Sequence, residues 1–396
     1  YTLSLHDALP IYAWDSPDRA GIESFRDYFD GYLYSTLDRI HNLKEDDIVF
    51  SFSTDGKQLF KSRSESVWPL LLLNLNLAPS ERYKIHNMIP LGVIPGPKEP
   101  KCIESFLQPM MEELHRLKDG LWFENPSGRK RFIRGFLLLI TGDLPAINKL
   151  CRLKGHNGTA PCRFCRIHGF KHADGLHYPS SLCMNEDGSE AKEEVVWNGI
   201  VLWPYSPCSL PLRTHHATLE DIRWMNETST EEEYRQASKL IGVKGKCCFA
   251  SLPGIRLFCS FPIDIMHLLY VNVAKNMWNL WIGADARATS DEPFVLSRST
   301  IFALGKDMEA AAAKLPESFG RPPRNIEKYA GSFKAEEWKT WVLHYSIPLL
   351  KDRLREPFFT GWRDFVRCCL LCEQKRLARE LVSELQRSEE HTSELQ

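Results

Sequence analysis

The chain has 396 residues, of which 43% are hydrophobic and 26% are charged, so its composition is that of a folded protein with roughly two or three domains. Its 50 basic and 51 acidic residues nearly cancel, and its 12 cysteines are too sparse for a disulfide scaffold. The longest apolar run, residues 67–77, is interrupted by Pro69 and is too short to span a bilayer. These features exclude a disordered chain, a fibre and a coiled coil, and we expect no membrane partner.

Both ends of the chain differ from the rest. Residues 1–11 (YTLSLHDALPI) and residues 387–396 (RSEEHTSELQ) each resemble the translation of a sequencing-library adapter. We therefore expect both segments to be adapter-derived, and residues 12–386 to be a fragment of a longer reading frame. The alternative is a short strand at the start and a frayed helix at the end.

The first part of the chain is predicted to form an α/β core. Residues 18–46 are predicted to be helical, and apolar patterns predict strands at 48–53, 67–75 and 85–94. Apolar residues at helical spacing then predict an amphipathic helix over 102–117. Residues 135–141 (GFLLLIT) have the continuous apolar character of a strand that is buried on both faces. Three strands, a crossover helix and a central strand predict a ribonuclease-H-like mixed sheet, with the first and the central strand as neighbours.

The remainder has a different texture. Residues 151–226 are dense in Gly, His, Cys and Pro. Helices are predicted after it, at 228–242, 263–281, 296–314, 334–354 and 360–385. We therefore expect residues 12–150 to form the first part of the core. Residues 151–300 would be a large, mainly helical insertion and residues 301–386 a helical C-terminal part.

Two aspartates follow predicted strands. Asp55 follows the first strand and Asp143 follows the central one, so neighbouring strands would place both carboxylates at one edge of the sheet. Mg²⁺ prefers oxygen ligands, often one or two carboxylates together with substrate phosphates, and a two-ion site supports phosphodiester chemistry. The alternative is that both are turn residues, because Asp-Gly and Gly-Asp are turn signals.

Cys162 and Cys165 form a Cys-x-x-Cys pair in a loop, with His156 six residues before the first cysteine (GHNGTAPCRFC). This spacing is typical of half a zinc site, and the alternative is two unpaired cysteines. The candidates for the other half are His267, Asp264, Cys151, His168 and Cys183. Cys369 and Cys372 have the same spacing but lie in an apolar predicted helix, where cysteine packs as a small hydrophobic residue.

Three weaker signals remain. Asp264 and His267 lie on a Met-rich predicted helix, where a histidine is ordinarily a core residue. Glu336 and Glu337 begin another predicted helix, whose dipole by itself favours acidic residues. Basic segments at 98–101, 129–134 and 149–154 are suited to phosphate contacts, although each also fits a solvated surface.

Taken together, these segments resemble the transposases of CACTA (En/Spm-like) DNA transposons of the fungal type. The matching stretches occur in the family's order and cover most of residues 45–370. They are FSTDGKQLF, VWPLLLLNLNL, PGPKEPKCIESFLQPMMEEL, ITGDLPAINKLCRLKGHNGTAPCRFC, LPLRTH, FPIDIMHLLYVNV and FKAEEWKTWVLHYSIPLL. The most specific are GDLPA followed by GH and CRFC, and SFPIDIMH.

The resemblance implies a DDE-type transposase core, with Asp55 and Asp143 as the first two acids. It suggests Glu336 as the third acid, with Glu337 as the alternative, and Mg²⁺ (or Mn²⁺) and Zn²⁺ as cofactors. It further implies that Cys162 and Cys165, with the Asp264-x-x-His267 element, form a zinc-stabilised joint between core and insertion.

The implied activity is cutting and joining of DNA at transposon ends by two-metal hydrolysis and strand transfer, without a covalent enzyme intermediate. The implied partners are the transposon ends, the target DNA and further copies of the chain assembled on DNA, in the nucleus. One alternative is a domesticated or decayed derivative that binds DNA or protein and cuts nothing. Another is a zinc-dependent interaction module whose acids are fortuitous.

Overall fold

The computed structural model describes residues 24–58, 66–96, 100–124, 128, 130–155, 158–172, 175–177, 183–184, 190–191, 195–197, 200–202, 210–285, 291–312, 314 and 321–382. His156 and Arg129 therefore lie outside the described residues. The chain divides into two compact units, Tyr1–Ile263 and Asp264–Gln396. The expected boundaries at residues 150 and 300 stay predictions.

A mixed sheet forms the centre of the first unit. Its strands are β2 (Ile48–Thr54), β3 (Lys57–Gln58), β4 (Ser66–Asn74), β5 (Met88–Pro95) and β8 (Gly135–Thr141). Strand β2 pairs antiparallel with β4 and parallel with β8, and β5 extends the sheet on the far side of β4. The expected pairing of the first and the central strand is therefore confirmed.

The predicted third strand begins three residues too early. Residues Ile85–Asn87 form a 3-10 turn and β5 begins at Met88. Ile85 is apolar and extends the strand pattern in the sequence, but it is exposed, and the Asn87 side chain donates a hydrogen bond back to the Glu81 carbonyl. This local polar contact ends the strand pairing where the apolar pattern alone would continue it.

Helices cover the sheet on both faces, which explains the continuous apolar run of β8. One face packs against α3 (Glu104–Leu117) and α4 (Leu144–Leu150), and the opposite face packs against α1 (Tyr32–His41). Helix α3 buries four residues at helical spacing, Leu107, Met110, Met111 and Leu114. Full burial of each such side chain contributes about 1.5–3 kcal/mol. Within the described residues 24–46, the predicted helix over 18–46 is confirmed for α1, whereas Ser24–Phe25 is a short strand (β1) and Tyr28–Asp30 a 3-10 turn. Residues 18–23 lie outside the described residues.

A hairpin that the sequence patterns did not predict joins α3 to β8. It consists of β6 (Leu121–Glu124) and β7 (Lys130–Ile133), paired antiparallel. A short helix, α2 (Pro79–Arg82), lies between β4 and β5.

The stretch after α4, where helical periodicity is poor, begins with short strands. Its described parts form three two-stranded antiparallel pairs. These are β9 (Phe170–His172) with β10 (Gly175–His177), β11 (Cys183–Met184) with β12 (Glu190–Ala191), and β13 (Val195–Trp197) with β14 (Ile200–Leu202). Short runs of β-branched and aromatic residues, as in β13 and β14, favour strands over helices. Helices α5 (His215–Asn226) and α6 (Glu231–Ile241) follow.

The described part of the second unit is mostly helical. A π-helix, Met266–Ala274, continues into α7 (Lys275–Trp281), and α10 (Ala335–Thr340) continues through a second π-helix, Trp341–Tyr345, into α11 (Ser346–Leu350). The other elements are α8 (Arg298–Ala312), α9 (Ile326–Tyr329), α12 (Phe358–Cys372) and β15 (Leu377–Ala378).

Tryptophans build the core of this unit. Trp341 packs against Trp278, Trp281, Trp338 and Trp362, with ring centroids 5.6–6.3 Å apart and all five side chains buried. The helix predicted over 360–385 ends earlier, at Cys372, where the apolar pattern gives way to the charged residues that follow. In the part of the chain that the structure describes, no helix combines the length and apolarity needed to cross a bilayer.

Candidate functional site

Asp55 and Asp143 follow the ends of two neighbouring parallel strands. Ser53 of β2 pairs with Thr141 of β8, and each aspartate lies two residues beyond its paired residue. The same register, continued two residues past the last pair, would bring Asp55 opposite Asp143. Because paired strands lie about 4.8 Å apart, we expect the two carboxylates to be neighbours at this edge of the sheet.

A bulge in β8 sets this register. Phe50 pairs with Leu137 whereas Ser51 pairs with Leu139, so Leu138 is an extra residue in β8. Without this extra residue, Asp55 would face Gly142 rather than Asp143. Bulges commonly re-aim a side chain next to a functional site, and here the bulge aligns the two acids.

Gly142 keeps the two strand ends close together. A Cβ atom added to Gly142 would lie 2.7 Å from the carbonyl oxygen of Thr54, closer than real Cβ contacts permit. The two strand ends are therefore still in contact at Thr54 and Gly142, one residue before each aspartate. Thr141 Oγ1 also donates a hydrogen bond to the Phe52 carbonyl at 3.3 Å, which ties the same two strands together.

Asp143 also begins helix α4. Its Oδ1 accepts a hydrogen bond from the Ala146 amide at 2.8 Å, so Asp143 is the N-cap, and Pro145 lies in the first turn. Among the described residues, Oδ2 of Asp143 accepts no hydrogen bond. The helix cap therefore uses one carboxylate oxygen and leaves the other for a second ligand.

A basic side chain lies next to the Asp55 turn. A Cβ added to Gly56 would lie 2.8 Å from the Trp68 ring, so Gly56 packs directly on that ring. Lys149 of α4 places its Nζ 4.7 Å from the centroid of the same ring. The exposed Asp55 thus has a cation close by, in a position suited to an incoming phosphate.

The Cys162–Cys165 pair forms a loop whose amides point at sulfur. Cys162 Sγ accepts hydrogen bonds from the amides of Phe164 at 3.3 Å and Cys165 at 3.4 Å. The Cys165 thiol, these amides and the charge of Arg213 together lower the pKa of Cys162 to about 6, against the opposing effect of burial. A thiolate stabilised in this way is the form of cysteine that binds zinc.

Arg213 holds this loop from the neighbouring chain segment, and the sequence patterns did not single it out. Its Nε donates to the carbonyls of Cys162 at 2.9 Å and Cys165 at 3.0 Å, and its amide donates to the Phe164 carbonyl at 2.7 Å. An antiparallel bridge pairs Cys165 with Leu212. Burial lowers the pKa of Arg213, and the nearby thiols oppose that shift. In the sequence, Arg213 is part of the LPLRTH stretch, one of the stretches that resemble the transposase family.

Two other zinc candidates of the first unit, His168 and Cys151, make contacts elsewhere. His168 Nε2 is hydrogen-bonded to the Leu240 carbonyl at 2.7 Å. Cys151 is buried in the core together with Cys247. The Cys183 side chain and His156 lie outside the described residues. Within the described part of either unit, no three His, Cys, Asp or Glu side chains are grouped so as to hold a metal ion.

In the second unit, Asp264 and His267 form a close pair. Asp264 Oδ2 lies 2.7 Å from His267 Nδ1, and Asp264 Oδ1 accepts a hydrogen bond from the His267 amide at 3.1 Å. A carboxylate on Nδ1 is the arrangement that orients the Nε2 atom of a histidine towards a metal ion. The geometry therefore suits His267 as a ligand and Asp264 as the residue that orients it.

Glu336 and Glu337 lie in different environments. Glu337 accepts hydrogen bonds from Arg324 Nε at 2.7 Å and Arg324 Nη2 at 2.8 Å, and from the Lys334 amide at 3.0 Å. The hydrogen bonds from Arg324 are the main cause that lowers the pKa of Glu337 to about 2. Glu336 is exposed, and within the described part of its unit no hydrogen bond or ion pair holds its carboxylate.

The second Cys-x-x-Cys pair behaves as predicted for a helix core. Cys369 is fully buried in α12, and burial raises its pKa. Burial also raises the pKa of the half-buried Cys372 to about 11. Neither sulfur is favoured as a thiolate, so this pair is unsuited to zinc.

The chemistry of the two donor sets matches two kinds of metal ion. The edge of the sheet offers carboxylate oxygens, which suit Mg²⁺ or Mn²⁺, and the cysteine loop offers a stabilised thiolate, which suits Zn²⁺.

Comparison with known proteins gives one match. Residues 23–178, which are 156 of the 396 residues, match the profile of the transposase family tnp2. The matched region includes Asp55, Asp143, Cys162 and Cys165. No curated protein matches the chain significantly. Over these residues the chain is similar to the transposase family tnp2.

Proposed function

We propose that the chain is the catalytic core of a DDE-type transposase of the CACTA type, which cuts and joins DNA at transposon ends. The observation that supports this proposal is the parallel register of β2 and β8, which, continued two residues past its last pair, would bring Asp55 opposite Asp143. The strand order, with β2 between the antiparallel β4 and the parallel β8, supports a ribonuclease-H-like core.

Asp55, Asp143 and Glu336 would hold Mg²⁺ or Mn²⁺, which supply a nucleophile at neutral pH and charge stabilisation when bound. Asp143 contributes the oxygen that the helix cap leaves free, and Lys149 contacts a DNA phosphate. Water attacks a backbone phosphorus and the bond to the 3′ oxygen breaks, which leaves a 3′-hydroxyl and a 5′-phosphate. The 3′-hydroxyl then attacks a phosphorus of the target DNA and displaces a 3′ oxygen there.

Glu336 is the better third acid of the two. The carboxylate of Glu337 is committed to Arg324 and to the start of α10, and its removal would leave a partly buried guanidinium without its partner. The exposed Glu336 carries no such structural role.

We also propose Cys162, Cys165 and His267 as zinc ligands, with Asp264 orienting His267. His156 remains a candidate for the fourth ligand. Assembly of several copies on DNA and residence in the nucleus belong to the same proposal, since transposon ends are paired and lie in chromosomes.

The test is metal-dependent nicking of DNA that carries candidate terminal repeats. Asp143→Asn should lower the nicking rate at least about 100-fold, since even the loss of an outer-shell metal partner costs 10- to 100-fold. The matched control is Asp352→Asn, at an exposed position with φ 63°, which asparagine tolerates well. Equal nicking by wild type and Asp143→Asn contradicts the proposal, and no nicking by either favours a decayed derivative.

A further inference from the structure

The β6–β7 hairpin exposes three aromatic side chains to solvent. Trp122 is 71% exposed, Phe123 45% and Phe132 43%. Trp122 and Phe132 are directly opposite each other in the hairpin, with ring centroids 5.3 Å apart. A cluster of exposed aromatic residues of this kind marks an interaction site on a folded protein.

The hairpin holds this aromatic pair in a defined position. Gly120, just before β6, has φ +91°, and a Cβ added to it would lie 2.1 Å from the Phe132 ring. The Phe132 ring therefore rests on the backbone of Gly120, and only glycine permits both this conformation and this contact. Trp122 in turn packs against Phe132, so the exposed face of Trp122 is presented by an ordered support.

The segment that contains the hairpin is rich in basic residues. Residues 118–134 contain five basic and two acidic residues, whereas the whole chain has 50 and 51. Lys130 lies 3.8 Å from Glu124, and Arg131 lies 3.4 Å from Asp46. Ion pairs this exposed contribute little, so both cations remain available for stronger charge partners.

We propose that this hairpin is a DNA contact in which Trp122, supported by Phe132, stacks on an unpaired base while Lys130, on the same face of the hairpin, contacts a flanking phosphate. The identity of the nucleic acid rests on the proposed function. Aromatic stacking requires an accessible base face, which single-stranded DNA offers and a continuous duplex does not. The excess of basic over acidic residues in the segment favours a polyanion such as DNA as the partner.

The contact lies away from the cutting chemistry. The hairpin leads into the first residue of β8, Gly135, whereas Asp143 follows the last. Seven strand residues span about 23 Å, equal to about seven nucleotide steps along a duplex. The hairpin would thus anchor a single-stranded stretch of DNA several nucleotides from the site of cleavage.

The test is fluorescence anisotropy with a labelled 20-nucleotide single strand of DNA and the matching duplex, without added Mg²⁺. Trp122→Ala should weaken single-strand binding about 5- to 100-fold, the range for loss of one stacked base, with an unchanged salt dependence. Trp122→Phe should keep most of the affinity. Lys130→Ala should reduce the slope of log affinity against log salt by about 0.7.

The matched control is Trp224→Ala, which removes a 50% exposed tryptophan from α5 and should leave binding unchanged. Wild-type affinity in Trp122→Ala, or no single-strand binding by the wild type, overturns the inference. Loss of self-association in Trp122→Ala, measured by sedimentation velocity with unchanged DNA binding, assigns the hairpin to a protein contact and also overturns it.

Binding is measured without Mg²⁺, so it is read separately from metal-dependent nicking. Metal-dependent nicking together with wild-type binding by Trp122→Ala would refute the hairpin contact and leave the proposed function standing. If Trp122→Ala weakens binding and the wild type nicks no DNA, the hairpin contact stands and the proposed function is refuted.

Discussion

The two units position their chemically useful residues in different ways. In the first unit the main chain does so, since Asp143 accepts a hydrogen bond from a helix amide and Cys162 accepts hydrogen bonds from two loop amides. In the second unit a side chain determines which acid is available. Arg324 donates hydrogen bonds to Glu337, whereas the adjacent Glu336 stays exposed. Residues at strand ends and in loops thus remain available for ligands, whereas the same residue types on packed helices are often already used.

The two Cys-x-x-Cys pairs have the same spacing but differ in the pKa of their thiols. Amides and a neighbouring thiol lower the pKa of Cys162 to about 6, while burial in a helix raises that of Cys372 to about 11. The backbone conformation between the cysteines, rather than their spacing, determines whether a thiolate is stabilised.

The largest effects are expected when Glu336 and Glu337 are each replaced by glutamine in separate variants. Glu336→Gln should lower metal-dependent nicking at least about 100-fold and leave the melting temperature unchanged, because its carboxylate has no structural partner. Glu337→Gln should lower the free energy of unfolding by about 2 kcal/mol, the contribution of hydrogen bonds to a charged group, and should keep nicking below the melting temperature. The reverse assignment of effects would show that Glu337 is the third acid.

The next prediction concerns Gly142, which holds the strand ends together. Gly142→Ala should cost about 1–3 kcal/mol of stability through overpacking, and nicking should fall up to about 100-fold as Asp143 moves away from Asp55. Gly92→Ala in β5 is the matched control, because a Cβ there meets no atom within 4 Å. Equal nicking rates and melting temperatures for the two variants would show that Gly142 does not hold the two strand ends together.

The pH dependence of stability tests the Glu337 ion pair more finely. The pKa of Glu337 is lowered to about 2, so its contribution is fully present above its unfolded pKa of about 4.3. That contribution should disappear as the pH falls from about 4.3 towards 2. Urea unfolding of wild type and Glu337→Gln should therefore differ at pH 7 and converge in acid. A difference that stays constant down to pH 2 would contradict the ion pair.

The smallest effect on activity is expected at the cysteines. Cys162→Ser should lower the zinc content of purified protein, measured with a chromogenic chelator, whereas Cys372→Ser should leave it unchanged. Equal zinc content in the two variants would mean that the loop conformation does not select the metal-binding pair.

Much of the first unit could be predicted from sequence, because strong apolar patterns decide its strands. The buried run at 135–141 and the alternation at 48–53 match β8 and β2 closely. Short hairpins such as β13 with β14 were missed, since three-residue strands carry too little pattern. The alignment of Asp55 with Asp143 depends on a bulge, which no periodicity reveals.

The candidate sites show the same limit. The sequence pattern indicated Cys162 as a ligand candidate. It did not indicate that the buried side chain of Arg213, far away in the sequence, donates a hydrogen bond to its loop. It also identified a basic segment at 129–134 without showing that Trp122 lies across from it in a hairpin. Both relations are set by tertiary pairing, which local patterns do not encode.

The most direct test of the central claim is a disulfide between positions 55 and 143. A disulfide requires Cα atoms about 4.4–6.8 Å apart, which the continued register of β2 and β8 provides. In the double variant Asp55→Cys/Asp143→Cys, mild oxidation should yield the linked peptide in mass spectrometry, whereas Asp55→Cys/Asp119→Cys should not link. Free, alkylatable thiols at both positions 55 and 143 after oxidation would show that the two acids do not lie side by side, and would contradict a shared metal site.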